Sequence, residues 1–134
     1  MRTLVQIGLV AFGSALGGLA RWGVGLWFGR WLGAGFPWGT LFINLTGSLF
    51  LGWFSTVLAD RLVLSPSAWL QRDDMHLMVA VGFTGAYTTF STFEYETHRL
   101  LGDGDVLAGA AYVALSVFVG LVAVRCGVLL ARPH

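Results

Sequence analysis

Residues 82–98 combine an apolar setting with many hydrogen-bond donors. They read GFTGAYTTFSTFEYETH and follow the apolar run MHLMVAV. Hydroxyl groups are carried by Thr84, Tyr87, Thr88, Thr89, Ser91, Thr92, Tyr95 and Thr97. In an apolar solvent, such hydroxyls either bond back to carbonyls of their own helix or donate to an ion that has lost its water. Bonding back to the helix explains single residues well, but it explains the combination with the nearby glycines less well.

The glycines of this stretch predict a break in its helix. Gly82 and Gly85, followed by the residues AYTT at 86–89, form a poor helix centre because glycine and β-branched residues disfavour helices. A break at membrane depth leaves unpaired N–H and C=O groups, which are tolerated only where they are buried in protein or face a cavity or an ion. If two copies bring their breaks together, the freed carbonyls can hold a small monovalent cation.

Polar residues in two other segments recur at intervals of four. The segment GTLFINLTGS places Thr40, Asn44 and Ser48 in one stripe, because such residues share a helix face. Its Asn44 supplies either an amide to an ion path or a hydrogen bond between helices. Later in the chain, Tyr112 and Ser116 are likewise four apart.

Phe90 and Phe93 are three residues apart, so their rings share one face of a helix. Spacing alone favours ordinary packing in a chain with 10 Phe. The edge of an aromatic ring is nevertheless electropositive. Two rings presented edge-on can therefore stabilise a dehydrated anion without the trapping effect of a fixed charge.

Composition identifies the solvent of this chain as lipid. Hydrophobic residues make up 56% of the 134 residues, charged residues 11%, and the mean hydropathy is +0.74. The formal net charge of +1 does not indicate the strongly basic surface that nucleic-acid binding requires. Cys126 is the single cysteine, which excludes an intrachain disulfide and a cysteine metal cluster. The length predicts one domain, residues 1–134.

Four stretches are long and apolar enough to cross a membrane, which requires about 20 residues each. We expect an all-α membrane protein with spans at about 4–28, 38–59, 75–98 and 106–130. Ser65, Pro66 and Ser67 predict a helix start before the third span. Four packed helices leave no conduit at their centre, so a transport path requires more than one chain.

Two further patterns concern assembly. Small residues four apart, first Gly13 with Gly17 and then Gly25 with Gly29, predict close helix contacts. The arginines give only a weak orientation bias, which leads to the hypothesis that the chain inserts both ways and forms antiparallel dimers. One side would hold Arg2, Arg61, Arg72, Arg125 and Arg132, and the other Arg21, Arg30 and Arg99.

With these residues identified, the chain resembles the small bacterial fluoride channels, the Fluc or CrcB family. The resemblance is carried by GTLFINLTGS, by GFTGAYTTFSTFEYET, by GGLARW near the end of the first span, and by Tyr112 with Ser116. It implies a fluoride-selective channel in the bacterial inner membrane, which exports cytoplasmic fluoride passively. It also implies a dual-topology antiparallel homodimer with two pores and a structural central sodium ion.

The resemblance further implies a role for individual residues. Phe90 and Phe93 would be edge-on fluoride ligands and Asn44 an amide donor on the path, while Ser91, Thr92, Tyr112 and Ser116 would form its polar track. Glu96 and Arg21 would lie at pathway mouths. The carbonyls of Gly85 and Thr88 from both subunits would hold the sodium. Three positions depart from the family pattern: Tyr87, Glu94 and Gly120.

Two other functions compete with this interpretation. A proton-coupled small multidrug exporter has four spans and dual topology, but it requires a carboxylate in the first span, which this chain lacks. A non-transporting membrane interaction protein would use the glycine faces alone, and it leaves the polar stripes unexplained. An enzyme is not expected, because the sequence contains no triad, metal cluster or phosphate loop.

Overall fold

The computed structural model describes residues 1–60 and 70–132, and every regular element among them is helical. The all-α prediction is therefore confirmed for the described residues. Arg61 and the helix start predicted at Ser65, Pro66 and Ser67 lie outside them. The elements are α1 (Arg2–Leu32), α2 (Trp38–Asp60), α3 (Arg72–Met75), π1 (His76–Thr84), α4 (Gly85–Tyr87), α5 (Phe90–Gly102), α6 (Val106–Ala114), π2 (Leu115–Val119) and α7 (Gly120–Ala131).

Three helices in the described part of the chain are long and apolar enough to cross a membrane: Arg2–Leu32, Trp38–Asp60 and Val106–Ala131. The last of these comprises α6, π2 and α7, and we call it the fourth helix. Residues 72–102, which we call the third segment, are divided into shorter helices. Large apolar side chains such as Leu121 and Phe118 are exposed on the outside, as expected where the surrounding solvent is lipid.

Helix α1 packs closely against the third segment. A Cβ atom on Gly13 would overlap the carbonyl oxygen of Met78, and one on Gly17 would overlap that of Phe83. The close contact predicted at Gly13 and Gly17 is thus confirmed. A Cβ on Gly25 or Gly29 would meet no atom within 4 Å, so the space that a side chain would take at this pair is open among the described residues, although a Cβ on Gly39 would lie 3.6 Å from the Gly25 Cα.

Helix α2 packs in the same way against the fourth helix. A Cβ on Gly52 would overlap the carbonyl oxygen of Val124, and one on Gly127 would overlap that of Leu49. Backbones that approach so closely gain dispersion contacts, which drive helix association in lipid. These two close contacts hold α2 and α7 in register beside the third segment.

A small apolar core joins α2, α5 and α6. It is centred on Leu41, Leu100 and Tyr112, of which Tyr112 is fully buried. Partly buried neighbours complete it: Phe36, Leu45, Phe93 and Ala108. Through this core, the part of the third segment that follows the break is fixed against both the second and the fourth helix.

Two stretches have wider π-helical turns, in which hydrogen bonds span five residues. They are His76–Thr84, just before the break, and Leu115–Val119, which contains Ser116. Such turns often occur at functional sites. Here they flank the region in which the polar residues of the third segment meet the fourth helix.

Candidate functional site

The third segment is interrupted at two threonines. Thr88 has φ −80° and ψ 160°, and Thr89 has φ −153° and ψ 119°, so both are extended. The helix restarts at Phe90, where the Thr89 hydroxyl accepts a hydrogen bond from the Thr92 N–H at 3.3 Å. Threonine is a good N-cap residue. The break predicted from the sequence is therefore present, and it lies at the end of the predicted stretch.

Asn44 satisfies the backbone that the break exposes. Its Oδ1 accepts the Thr89 N–H at 2.8 Å, and its Nδ2 donates to the Thr89 carbonyl at 3.0 Å. In a continuous α-helix the Thr89 N–H would instead bond to the carbonyl of Gly85. The Asn44 amide thus replaces a helical hydrogen bond and leaves the Gly85 carbonyl without that partner. The hydrogen bond between helices that the sequence allowed for Asn44 is therefore present. It uses one of the two hydrogens on the Asn44 amide nitrogen and leaves the other available.

Arg21 reaches the same break from α1. Its guanidinium donates to the Thr88 carbonyl at 3.4 Å, a contact between residues 67 positions apart in the sequence. The Thr88 hydroxyl donates to the Thr84 carbonyl at 2.9 Å. A side chain from α1 and one from α2 therefore both hold the interrupted backbone.

Beside the break lies a cleft of about 280 Å³, which we call the central cleft. Among the described residues, the side chains that line it are uncharged: Asn44, Ser48, Leu51, Thr84, Thr88, Thr89, Phe90, Phe93, Ser116 and Val117. The Ser116 hydroxyl is buried and has no hydrogen-bond partner in the structure. Buried hydroxyls without a partner are exceptional in proteins.

The two phenylalanines meet at this cleft. The ring centroids of Phe90 and Phe93 are 5.8 Å apart, with an angle of 42° between the ring planes. The Phe93 ring also packs against Tyr112, with centroids 5.1 Å apart. The Phe90 side chain, in contrast, is 70% exposed on the single chain.

A second, larger cleft of about 470 Å³ also has Thr89 in its lining, and we call it the outer cleft. Three charged residues line it: Arg21, Glu96 and Arg99. The Arg99 guanidinium donates to the Ala34 carbonyl at 3.3 Å and thereby contacts the α1–α2 loop. Because Thr89 lines both clefts, the break is the place at which they adjoin.

Glu96 joins two residues that the sequence placed in separate stripes. It accepts a hydrogen bond from the Thr40 hydroxyl at 3.0 Å and one from the Tyr112 hydroxyl at 2.8 Å. The sequence singled out all three residues, but it did not indicate that they bond to each other. Their positions are 56 and 16 residues apart, so no local pattern could reveal the contact.

The remaining candidates lie near the break without lining the central cleft. Thr92 borders the outer cleft and accepts a hydrogen bond from the Thr89 hydroxyl at 2.9 Å. Ser91 is exposed and borders neither cleft. Tyr87, a departure from the family pattern, stacks on Phe83 and shares a hydrogen bond of 2.9 Å with Thr46. It also lines neither cleft.

Arg99 and Thr46 are two residues of the site region that the sequence patterns do not single out. The position of Arg99, three residues after Glu96, nevertheless places both on one helix face. Thr46 lies between Asn44 and Ser48 of the polar stripe, on a different face. No sequence signal connected it with Tyr87, 41 positions later.

The fold and its two clefts define a small helical membrane protein built around an interrupted segment. The family model described as CrcB-like protein, Camphor Resistance (CrcB), matches residues 8–128. The chain belongs to this CrcB-like family.

Among its relatives, the fluoride-specific ion channel FluC of Acidobacterium capsulatum is 46% identical over 120 residues, 90% of each chain. That of Nitrobacter winogradskyi is 45% identical over 92% of each chain. That of Trichormus variabilis is 41% identical over 92% of this chain and 85% of its own. These relatives are named as ion channels, which are not enzymes.

Proposed function

We propose that this protein is a fluoride-selective channel that lets cytoplasmic fluoride leave the cell passively. The observation that carries the proposal is the central cleft, in which an amide, hydroxyls and two aromatic rings meet without any charged side chain. The names and identity levels of the relatives support the same function.

The chemistry of fluoride fits such a surface. The ion is small and holds its water tightly, so a path must replace that water with several donors. Asn44, Ser116 and the edges of Phe90 and Phe93 offer weak donors of this kind. Chloride is larger, and a narrow path set by these groups does not accommodate it. The membrane potential supplies ~2.3 kcal/mol per charge per 100 mV, so export needs no other energy source.

The outer cleft would be the mouth of the path. Arg21 lines it and attracts anions from the water. Glu96 lines it as well, with its carboxylate held by Thr40 and Tyr112. We assign Ser91, Thr92, Tyr112 and Ser116 to the polar track that continues from this mouth. For Tyr112 to donate to fluoride, its hydrogen bond to Glu96 must open.

The working unit would be an antiparallel homodimer with two pores. The exposed Phe90 ring supports this assembly, because a ring that is to bind an ion must be covered from a second side. We place the dimer in the inner membrane of a bacterium, with copies inserted in both orientations.

A sodium ion between the two breaks would be the structural metal of the dimer. The Gly85 carbonyl fits such a role, since Thr89 donates to Asn44 instead of to Gly85. The Thr88 carbonyl already accepts Arg21, but a carbonyl oxygen has a second lone pair for another partner. Two carbonyls from one chain are too few for a cation, so both copies would contribute. When bound, the sodium would hold the two breaks together.

The test is ion efflux from liposomes that contain the purified protein, followed with fluoride and chloride electrodes. We expect rapid fluoride efflux once a potassium ionophore lets K⁺ leave the liposomes with the anion, so that no membrane potential builds up. We expect no chloride efflux. Chloride flux at a comparable rate, or fluoride movement only when a proton gradient is imposed, would contradict the proposal. The second outcome would favour a proton-coupled exporter.

A further inference from the structure

Ser48 lies on the wall of the central cleft, one helical turn beyond Asn44 on the same face of α2. The residue before it, Gly47, lies so close to the break that an added Cβ would overlap the Thr88 side chain. The backbone at Ser48 is therefore held directly against the interrupted part of the third segment. The position is fixed by packing rather than by a flexible loop.

The hydroxyl of Ser48 makes no hydrogen bond within the described residues, in contrast to most threonines of the helices. The other described serines share this property, so it is the position of Ser48 on the wall of the central cleft that distinguishes it. The usual pattern here is a bond to a carbonyl four or five residues earlier, at 2.7–3.0 Å. It is made by Thr46, Thr56, Thr84, Thr88 and Thr97. Bonding back in this way satisfies a hydroxyl inside a membrane.

Ser116 supplies an independent observation on the same cleft. Its buried hydroxyl also has no partner in the structure, although it comes from the fourth helix and not from α2. Two serines on different helices thus present unbonded hydroxyls to one cleft that contains no charged side chain. A buried hydroxyl without a partner costs free energy, and the Ser116 hydroxyl is in that position. The half-buried Ser48 offers a second unbonded hydroxyl to the same cleft, so their convergence points to a shared ligand.

We infer that Ser48 is a further anion-binding residue of the path and acts together with Ser116. The inference rests on the proposed fluoride channel and extends its binding groups to α2 beyond Asn44. Both hydroxyls can turn their hydrogen toward an anion. A cation would instead face their oxygens, but Phe90 and Phe93 line the same cleft, and rings turned edge-on, as proposed above, would present electropositive edges that repel it. The site therefore selects a small anion.

The experiment compares Ser48→Thr with Ser48→Val in the liposome assay. The two variants have nearly the same shape and differ in the hydroxyl. We expect Ser48→Thr to retain most of the fluoride flux and Ser48→Val to lose about tenfold or more, because a hydrogen bond to a charged group is lost. Ser48→Ala is expected to lose flux as well. Ser55→Ala on the same helix is the matched control, since Ser55 does not line the central cleft, and it should behave as the unchanged protein.

Two results would overturn the role of Ser48 while leaving the channel intact. One is full flux in Ser48→Ala. The other is an equal loss in Ser48→Val and Ser48→Thr, which would assign the effect to shape. If instead the unchanged protein carries no fluoride, the proposed function itself fails. Size-exclusion chromatography of each variant separates these outcomes from misassembly.

Discussion

The two clefts that adjoin at Thr89 differ in the charge of their lining and in whether their polar groups are all hydrogen-bonded. In the outer cleft the charged groups are present and paired: Arg21 with the Thr88 carbonyl, Arg99 with the Ala34 carbonyl, and Glu96 with two hydroxyls. In the central cleft no side chain is charged, and the hydroxyls of Ser48 and Ser116 are unbonded.

This difference separates two tasks that an anion path must perform. Charge attracts ions over a distance while they still carry water, so arginines are useful in the outer cleft. Inside the path a fixed charge would bind the ion too tightly for it to leave. Neutral donors and ring edges can replace water there without trapping the ion. The contrast supports a division into an attracting mouth and a dehydrating interior.

The largest effect is expected from placing a charge in the central cleft. Asn44→Asp keeps an acceptor for the Thr89 N–H but sets a carboxylate against the Thr89 carbonyl and repels the anion. We expect fluoride flux to fall by roughly a hundredfold, because a donor is lost and a like charge is added. Liposome efflux measures the rate, and size-exclusion chromatography checks assembly. Unchanged flux would show that the central cleft tolerates a charge, and it would contradict the proposed difference between the two clefts.

A smaller but clear loss is expected when the aromatic edge is removed. Phe90→Ile keeps an apolar side chain of useful size but has no ring edge, and we expect about a tenfold loss of fluoride flux. Phe118→Ile is the matched control, since Phe118 is 68% exposed, close to the 70% of Phe90, and lines neither cleft. Equal rates in both variants would remove the ring edge from the mechanism.

The arginines of the outer cleft should have a milder effect that depends on salt. Arg99→Gln is expected to reduce fluoride flux about two- to fivefold at low ionic strength, because long-range attraction is weakened. The loss should disappear at high salt, where charges are screened within a few ångströms.

Arg99→Lys separates the charge from the contact with the α1–α2 loop. It retains the charge, and we expect near-normal flux. Arg30→Gln, a change of equal charge outside both clefts, is the control. A loss in Arg99→Gln that persists at high salt would instead indicate that the Ala34 contact is what matters.

The smallest effect on flux is expected from Tyr87→Phe. This change removes the hydrogen bond to Thr46 but touches neither cleft. We expect fluoride flux within about twofold of normal and a loss of stability of about 0.6 kcal/mol, the average for hydrogen bonds between membrane helices. Thermal unfolding in detergent measures the second quantity, with Tyr95→Phe, whose side chain is exposed, as the control. A large loss of flux would indicate that the fluoride path includes Tyr87 and reaches beyond the two clefts.

Much of this fold follows from local properties of the sequence. The helices form where apolar residues are continuous, and the break at Thr88 and Thr89 follows from glycines and β-branched residues nearby. The Gly13 and Gly17 contact also follows from spacing. The Gly25 and Gly29 pair has the same spacing, but a Cβ at either position would meet no described atom within 4 Å. Spacing identifies a surface that can pack and does not identify what packs against it.

The sequence by itself determined that the chain lies in lipid, where its helices run, where the third segment is interrupted and which helix faces are polar. Each of these properties depends on residues close together in the chain. Only the tertiary structure decided which polar groups are bonded and which are free. Asn44 and Thr89 are 45 residues apart, and Arg21 and Thr88 are 67 apart. A helical period fixes the direction of a side chain, but its partner is set by how the helices pack. For that reason the unbonded hydroxyls of Ser48 and Ser116 become visible only in the folded chain.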